Sequence, residues 1–86
     1  MKNSLSNYID IPEEYFIVQV PKRKIADTIR EHISEKNMTY KEASELINLN
    51  YSQFSRVTAG ANYTIDTLLK TLHGLGLEIQ LVKKET

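Results

Sequence analysis

From Lys22 onward isoleucines recur at every fourth position, Ile25, Ile29 and Ile33, with Ala26 beside the first. That stripe predicts an amphipathic helix over about 22–36, closed by Lys36-Asn37. Next, Thr39-Tyr40-Lys41-Glu42 reads as a capping box: the Thr39 hydroxyl accepts a first-turn N–H and Glu42 reaches back to the Thr39 N–H. The helix it opens carries Ala43, Leu46 and Ile47 inward and stops at Asn48, a residue that tolerates left-handed backbone. Asn50 is a good N-cap for the next helix, Tyr51 to Ala59, with Phe54 and Val57 on its inner face and Gly60 at its exit. Thr64 caps a fourth helix whose apolar stripe is Ile65, Leu68, Leu69, Leu72 and Leu75, ended by Gly74 and Gly76.

The ends of the chain read differently. Tyr15-Phe16-Ile17-Val18-Gln19-Val20 is aromatic and β-branched, the composition of a short strand, and Pro21 closes it. Leu77-Glu78-Ile79-Gln80-Leu81 alternates apolar and polar, the mark of a half-buried strand. Residues 1–12 form a polar arm. The expected organisation is therefore an arm and strand over 1–21, a helical unit over 22–76, and a strand and tail over 77–86. The fold class is mainly α: four to five helices with a short terminal β-ribbon. An isolated two-stranded ribbon is marginal in water, so its free edge is expected to meet a second copy in a homodimer.

Composition narrows the function classes. The chain has no cysteine, which removes disulfides and thiolate metal sites. His32 and His73 stand alone on separate helices, so no metal, cofactor or catalytic centre is expected, and no enzyme. Ser44 lies mid-helix without a base beside it. The longest apolar run, Tyr15 to Val18, is far below the ~20 residues of a membrane helix. With no signal-peptide pattern at the start, the expected location is the cytoplasm.

Eleven basic and eleven acidic residues cancel, but they are not spread evenly. Between Glu45 and Asp66 there is no carboxylate, and Arg56 is the sole formal charge. A surface meant for phosphates benefits from such a gap, since each acid repels the backbone it approaches. Two short helices joined by Asn48-Leu49-Asn50 follow the helix-turn-helix plan, in which the second helix enters the major groove by its N-terminal half. Tyr51, Ser52, Gln53, Ser55 and Arg56 are then left on its outer side. Gln pairs with the N6/N7 edge of adenine, and Arg with O6/N7 of guanine. Thr39, Tyr40 and Lys41 before the groove, and Asn62, Tyr63 and Thr64 after it, offer hydroxyls, an amide and helix-end N–H groups to phosphates. Lys22-Arg23-Lys24 is a basic run at a helix start, where the helix dipole disfavours cations; it reads as a solvated run, or as one facing an anion.

The stretch Thr39 to Val57 resembles the helix-turn-helix of the Xre/lambda-repressor-like regulators, with Thr39, Glu42-Ala43, Ile47, Ser55-Arg56 and Val57 at the pattern's positions. Asn48 stands where that pattern has Gly, and Asn50 where it has Ser. Thr64-Ile65-Asp66-Thr67-Leu68-Leu69 and Leu75-Gly76-Leu77-Glu78-Ile79 are similar to the HigA-like antitoxin branch. The resemblance covers about 24–82 and implies a sequence-specific repressor of transcription, dimeric on double-stranded DNA, with half-sites ~34 Å apart. In the antitoxin branch it also implies neutralisation of a RelE/HigB-like toxin. A protein-interaction module that keeps the helices without binding DNA is the remaining alternative.

Overall fold

The computed structural model describes residues 11–84, so most of the arm expected over 1–12 lies outside the described residues. Four helices follow one another: α1 (Val20–Glu35), α2 (Tyr40–Leu46), α3 (Tyr51–Ala59) and α4 (Ile65–Gly74). The architecture is a small, mainly helical bundle. α3 packs against α1, α2 and α4 alike. The core is drawn from every helix: Ile29 and Ile33 of α1, Ala43 of α2, Phe54 and Val57 of α3, and Leu68 of α4, with Ile47 and Leu75 just past helix ends.

Local chemistry accounts for the boundaries. The Thr39 hydroxyl accepts from the Glu42 N–H at 3.1 Å while the Thr39 N–H donates to the Glu42 carboxylate at 2.8 Å, the full capping box. Asn50 Oδ1 accepts from Gln53 N–H at 2.8 Å, and Thr64 Oγ1 from Thr67 N–H at 3.2 Å. Each of the four helices also ends in the same motif. After α2, Leu49 N–H reaches the Ser44 carbonyl at 3.0 Å and Asn48 N–H the Glu45 carbonyl at 3.1 Å, with Asn48 left-handed at φ 60°. Met38 with Asn37, Ala61 with Gly60, and Leu77 with Gly76 repeat this arrangement, and all three of the turning residues have positive φ. This is the Schellman exit, which satisfies carbonyls the helix leaves open.

Three expectations need correction. The segment read as a strand, Tyr15 to Val20, is helical: Tyr15–Gln19 is a π turn that runs directly into α1. Glu13 and Glu14 begin the helical run behind Pro12, and acids and proline both favour a helix start. Pro21 therefore sits near the beginning of α1 rather than ending a strand. It supplies no N–H and crowds the carbonyl four residues back. The wider turn just before it, where Val20 N–H bonds to the Tyr15 carbonyl five residues back, accommodates that loss.

The second correction concerns the ribbon. Among the described residues there is no strand, and 77–84 has no regular structure. The pairing expected between the two terminal segments is absent because one of them is helix. The third concerns burial. Leu46, Ile65 and Leu69, expected inside, are exposed. On α4 their place is taken by the buried Thr67 and Thr71, whose hydroxyls bond locally, Thr71 to the Thr67 carbonyl at 2.8 Å and Thr67 to Thr64 at 3.0 Å. With the hydroxyls satisfied, the rest of each side chain packs without penalty.

Candidate nucleic-acid interface

The exit after α2 and the Asn50 cap fix how α3 leaves the turn. Phe54 and Val57 are fully buried, and a helix anchored by these two turns its other sides outward. Tyr51, Ser52, Gln53 and Arg56 are exposed. Arg56 forms no ion pair with Glu42 or Glu45 among the described residues, so its guanidinium is available.

Two shallow depressions flank this face. Ser52, Gln53 and Arg56 share one of about 400 Å³ with Asn50, Asn62, Tyr63, Thr64 and Thr67. On the other side Tyr51 meets Thr39, Tyr40 and Lys41. The structure thus brings together residues from three separate stretches of sequence, and neither depression contains a carboxylate. Depressions elsewhere do: Asp27 lines one between α1 and the end of α3, and Glu78 one between α1 and α4.

Not every expected residue is equally free. Ser55 is half-buried, and its hydroxyl donates back to the Ser52 carbonyl at 3.2 Å; it lines neither depression. The Tyr40 ring stands edge-on to Phe54, centroids 6.0 Å apart, so its body is structural. Thr39 spends its hydroxyl oxygen on the cap.

Lys22 belongs to the site although no single site position was expected in its basic run. Its Nζ donates to Asn62 Oδ1 at 3.1 Å and lies 5.5 Å from the centre of the Tyr63 ring, a cation–π distance. Burial pushes the Tyr63 hydroxyl pKa above its ordinary value, so the ring carries no charge near neutral pH. The helical run begins at Glu13, so Lys22 does not lie at a helix start as expected, and nothing local marks its partner forty positions away.

Two further polar side chains have structural work. Arg30 bridges Asp27 and the Thr58 carbonyl, the latter at 2.7 Å. His32 Nε2 donates to the Leu75 carbonyl at 2.8 Å, tying α1 to the end of α4. Among the described residues no cluster of acidic and imidazole side chains could hold a metal, and no helix is long and apolar enough to cross a membrane. No protein-family model and no curated protein matches this chain.

Proposed function

We propose that this chain is a sequence-specific DNA-binding regulator of transcription, built on a lambda-repressor-like helix-turn-helix of α2 and α3. The observation that carries the reading is the exposed, carboxylate-free face of α3 with a depression free of carboxylates on each flank. Gln53 and Arg56 read base edges from the N-terminal half and centre of α3. Lys41 and Tyr51 on one side, and Ser52, Asn62 and Tyr63 with Lys22 on the other, hold the phosphates that set the helix in register. The Lys22 ammonium adds a cation to a face that has few, and repression follows from occupying an operator.

Selection of duplexes from a random pool, followed by mobility shift at rising salt, tests this. An enriched motif, with affinity falling log-linearly as salt rises, is the expected result. No enrichment, and no salt-dependent retention of any duplex, would leave the helices as a protein-interaction module.

A further inference from the structure

The two depressions beside α3 differ in chemistry. The one shared by Ser52, Gln53 and Arg56 mixes polar and apolar surface. The one that Tyr51 shares with Thr39, Tyr40 and Lys41 is walled almost wholly by carbon, although every one of these side chains carries a polar group. The polar groups are engaged elsewhere or reach past it. Thr39 spends its hydroxyl oxygen on the Glu42 N–H at 3.1 Å. The Tyr40 ring is fixed edge-on to Phe54, centroids 6.0 Å apart. A lysine lays its carbon stem along apolar surface and keeps the ammonium in water, and Lys41 is exposed.

Carbon walls offer nothing to phosphate oxygens or to the donors and acceptors of base edges. The major groove presents one apolar group, the C5-methyl of thymine. We propose that the slot between Tyr40 and Tyr51 takes the C5-methyl group of a pyrimidine. This chain then reads thymine at one base pair and accepts 5-methylcytosine there in preference to cytosine. The inference rests on the DNA reading above, and adds to it a base feature that the hydrogen bonds of Gln53 and Arg56 do not report.

Position and preorganisation both support it. Tyr51 is the first residue of α3, and the N-terminal residues of such a helix are the ones that meet base edges. The opposite wall is already in place, because Phe54 holds the Tyr40 ring and the capping box holds Thr39. The Lys41 ammonium and the Tyr51 hydroxyl extend beyond the carbon walls and stay free for the backbone. Gln53 belongs to the depression on the other flank of α3, so the methyl group and the Gln53 contact fall to different base pairs.

The test uses the full chain on a duplex selected from a random pool. Each thymine of the motif, on either strand, is replaced singly by deoxyuridine, which deletes a methyl group and keeps every hydrogen-bonding group. At one thymine of each half-site affinity should fall about fourfold, the worth of one apolar carbon taken out of water. At that position 5-methylcytosine should bind about fourfold more tightly than cytosine. Y51S, at an exposed position outside the core, should bind the thymine and uracil duplexes alike, with helical circular dichroism unchanged. Q53A should keep their difference. An enriched, salt-dependent motif in which uracil replaces every thymine without cost overturns the slot and leaves the DNA reading standing. A Y51S protein that keeps the full difference overturns it as well. If no motif is enriched, the DNA reading itself has failed and the slot falls with it.

Discussion

Arg30 donates to the Thr58 carbonyl at 2.7 Å and is held in turn by Asp27. A side chain of α1 thereby occupies a carbonyl in the last turn of α3, where a cation is also favoured by the helix dipole. The guanidinium is partly open to solvent, which reduces what the contact contributes. Arg30→Met should cost ~1 kcal/mol in urea unfolding, less than the ~1.5–3 kcal/mol of a hydrogen bond to a fully sheltered charged group. Arg30→Lys should recover only part of it, because one ammonium cannot span both acceptors as the planar fork does. Equal stability of the methionine variant and the parent would remove this contact from the account of how α3 is held.

Gly74 touches Ile47. A Cβ on Gly74 would overlap the Ile47 side chain and come within 2.9 Å of its Cα. The end of α4 therefore crosses the end of α2 at a separation that only glycine permits. Gly74→Ala should destabilise the fold by ~1–3 kcal/mol, the range for overpacking, even though alanine is the better helix former. Ile47→Val in the same chain should relieve less of this than Ile47→Ala, because valine keeps the branch at Cβ. Thermal unfolding of these three variants, beside the parent and the two Ile47 single variants, measures the coupling.

Under the proposed docking, Gln53 and Lys22 separate base reading from phosphate holding. On a selected duplex, Gln53→Ala should cost ~1–3 kcal/mol and flatten preference at one base pair. Lys22→Ala should weaken all duplexes nearly alike and reduce the slope of log affinity against log salt by ~1. Titrations of matched and singly altered duplexes at several salt concentrations distinguish the two. A Gln53→Ala protein with unaltered affinity and preference would show that α3 is not docked as described.

Tyr63 gives the fold an alkaline limit. Burial raises its pKa, so the folded state holds the phenolic proton more tightly than the unfolded chain. The resulting stability is complete below the unfolded value, ~10 for tyrosine, and is lost as pH rises through the higher folded value. Tyr63→Phe should flatten this alkaline loss relative to the parent. Midpoints of urea unfolding between neutral pH and the tyrosine range supply the comparison.

Much of the helical framework is legible in the sequence because its signals are local. Thr39 with Glu42, Asn50 and Thr64 cap helices by reaching three residues along the chain, and Asn48 and Gly60 take the left-handed exits their types favour. Tyr15 to Val20 misleads because aromatic and β-branched residues only prefer strands, and a strand without a neighbour has no ladder to satisfy its backbone. The acidic start at Glu13-Glu14 and continuity with α1 decide for helix instead. On α4, equal spacing of Leu68 and Leu69 hides which of them faces inward; Thr67 and Thr71 reveal it only once their hydroxyls are seen to be paired. Of the candidate site, the α3 residues follow from Phe54 and Val57 being buried. Lys22 beside Asn62, and Arg30 beside Thr58, join positions forty and twenty-eight apart, and nothing local announces such pairs.

α3 is wedged among three neighbours and tethered at both ends, so it has little freedom to tilt or slide by itself. Its outward row, Tyr51, Ser52, Gln53 and Arg56, takes no part in that wedging. Those four positions can be rewritten together while Phe54 and Val57 keep the scaffold unchanged, which makes the outer face of this helix interchangeable on a fixed handle.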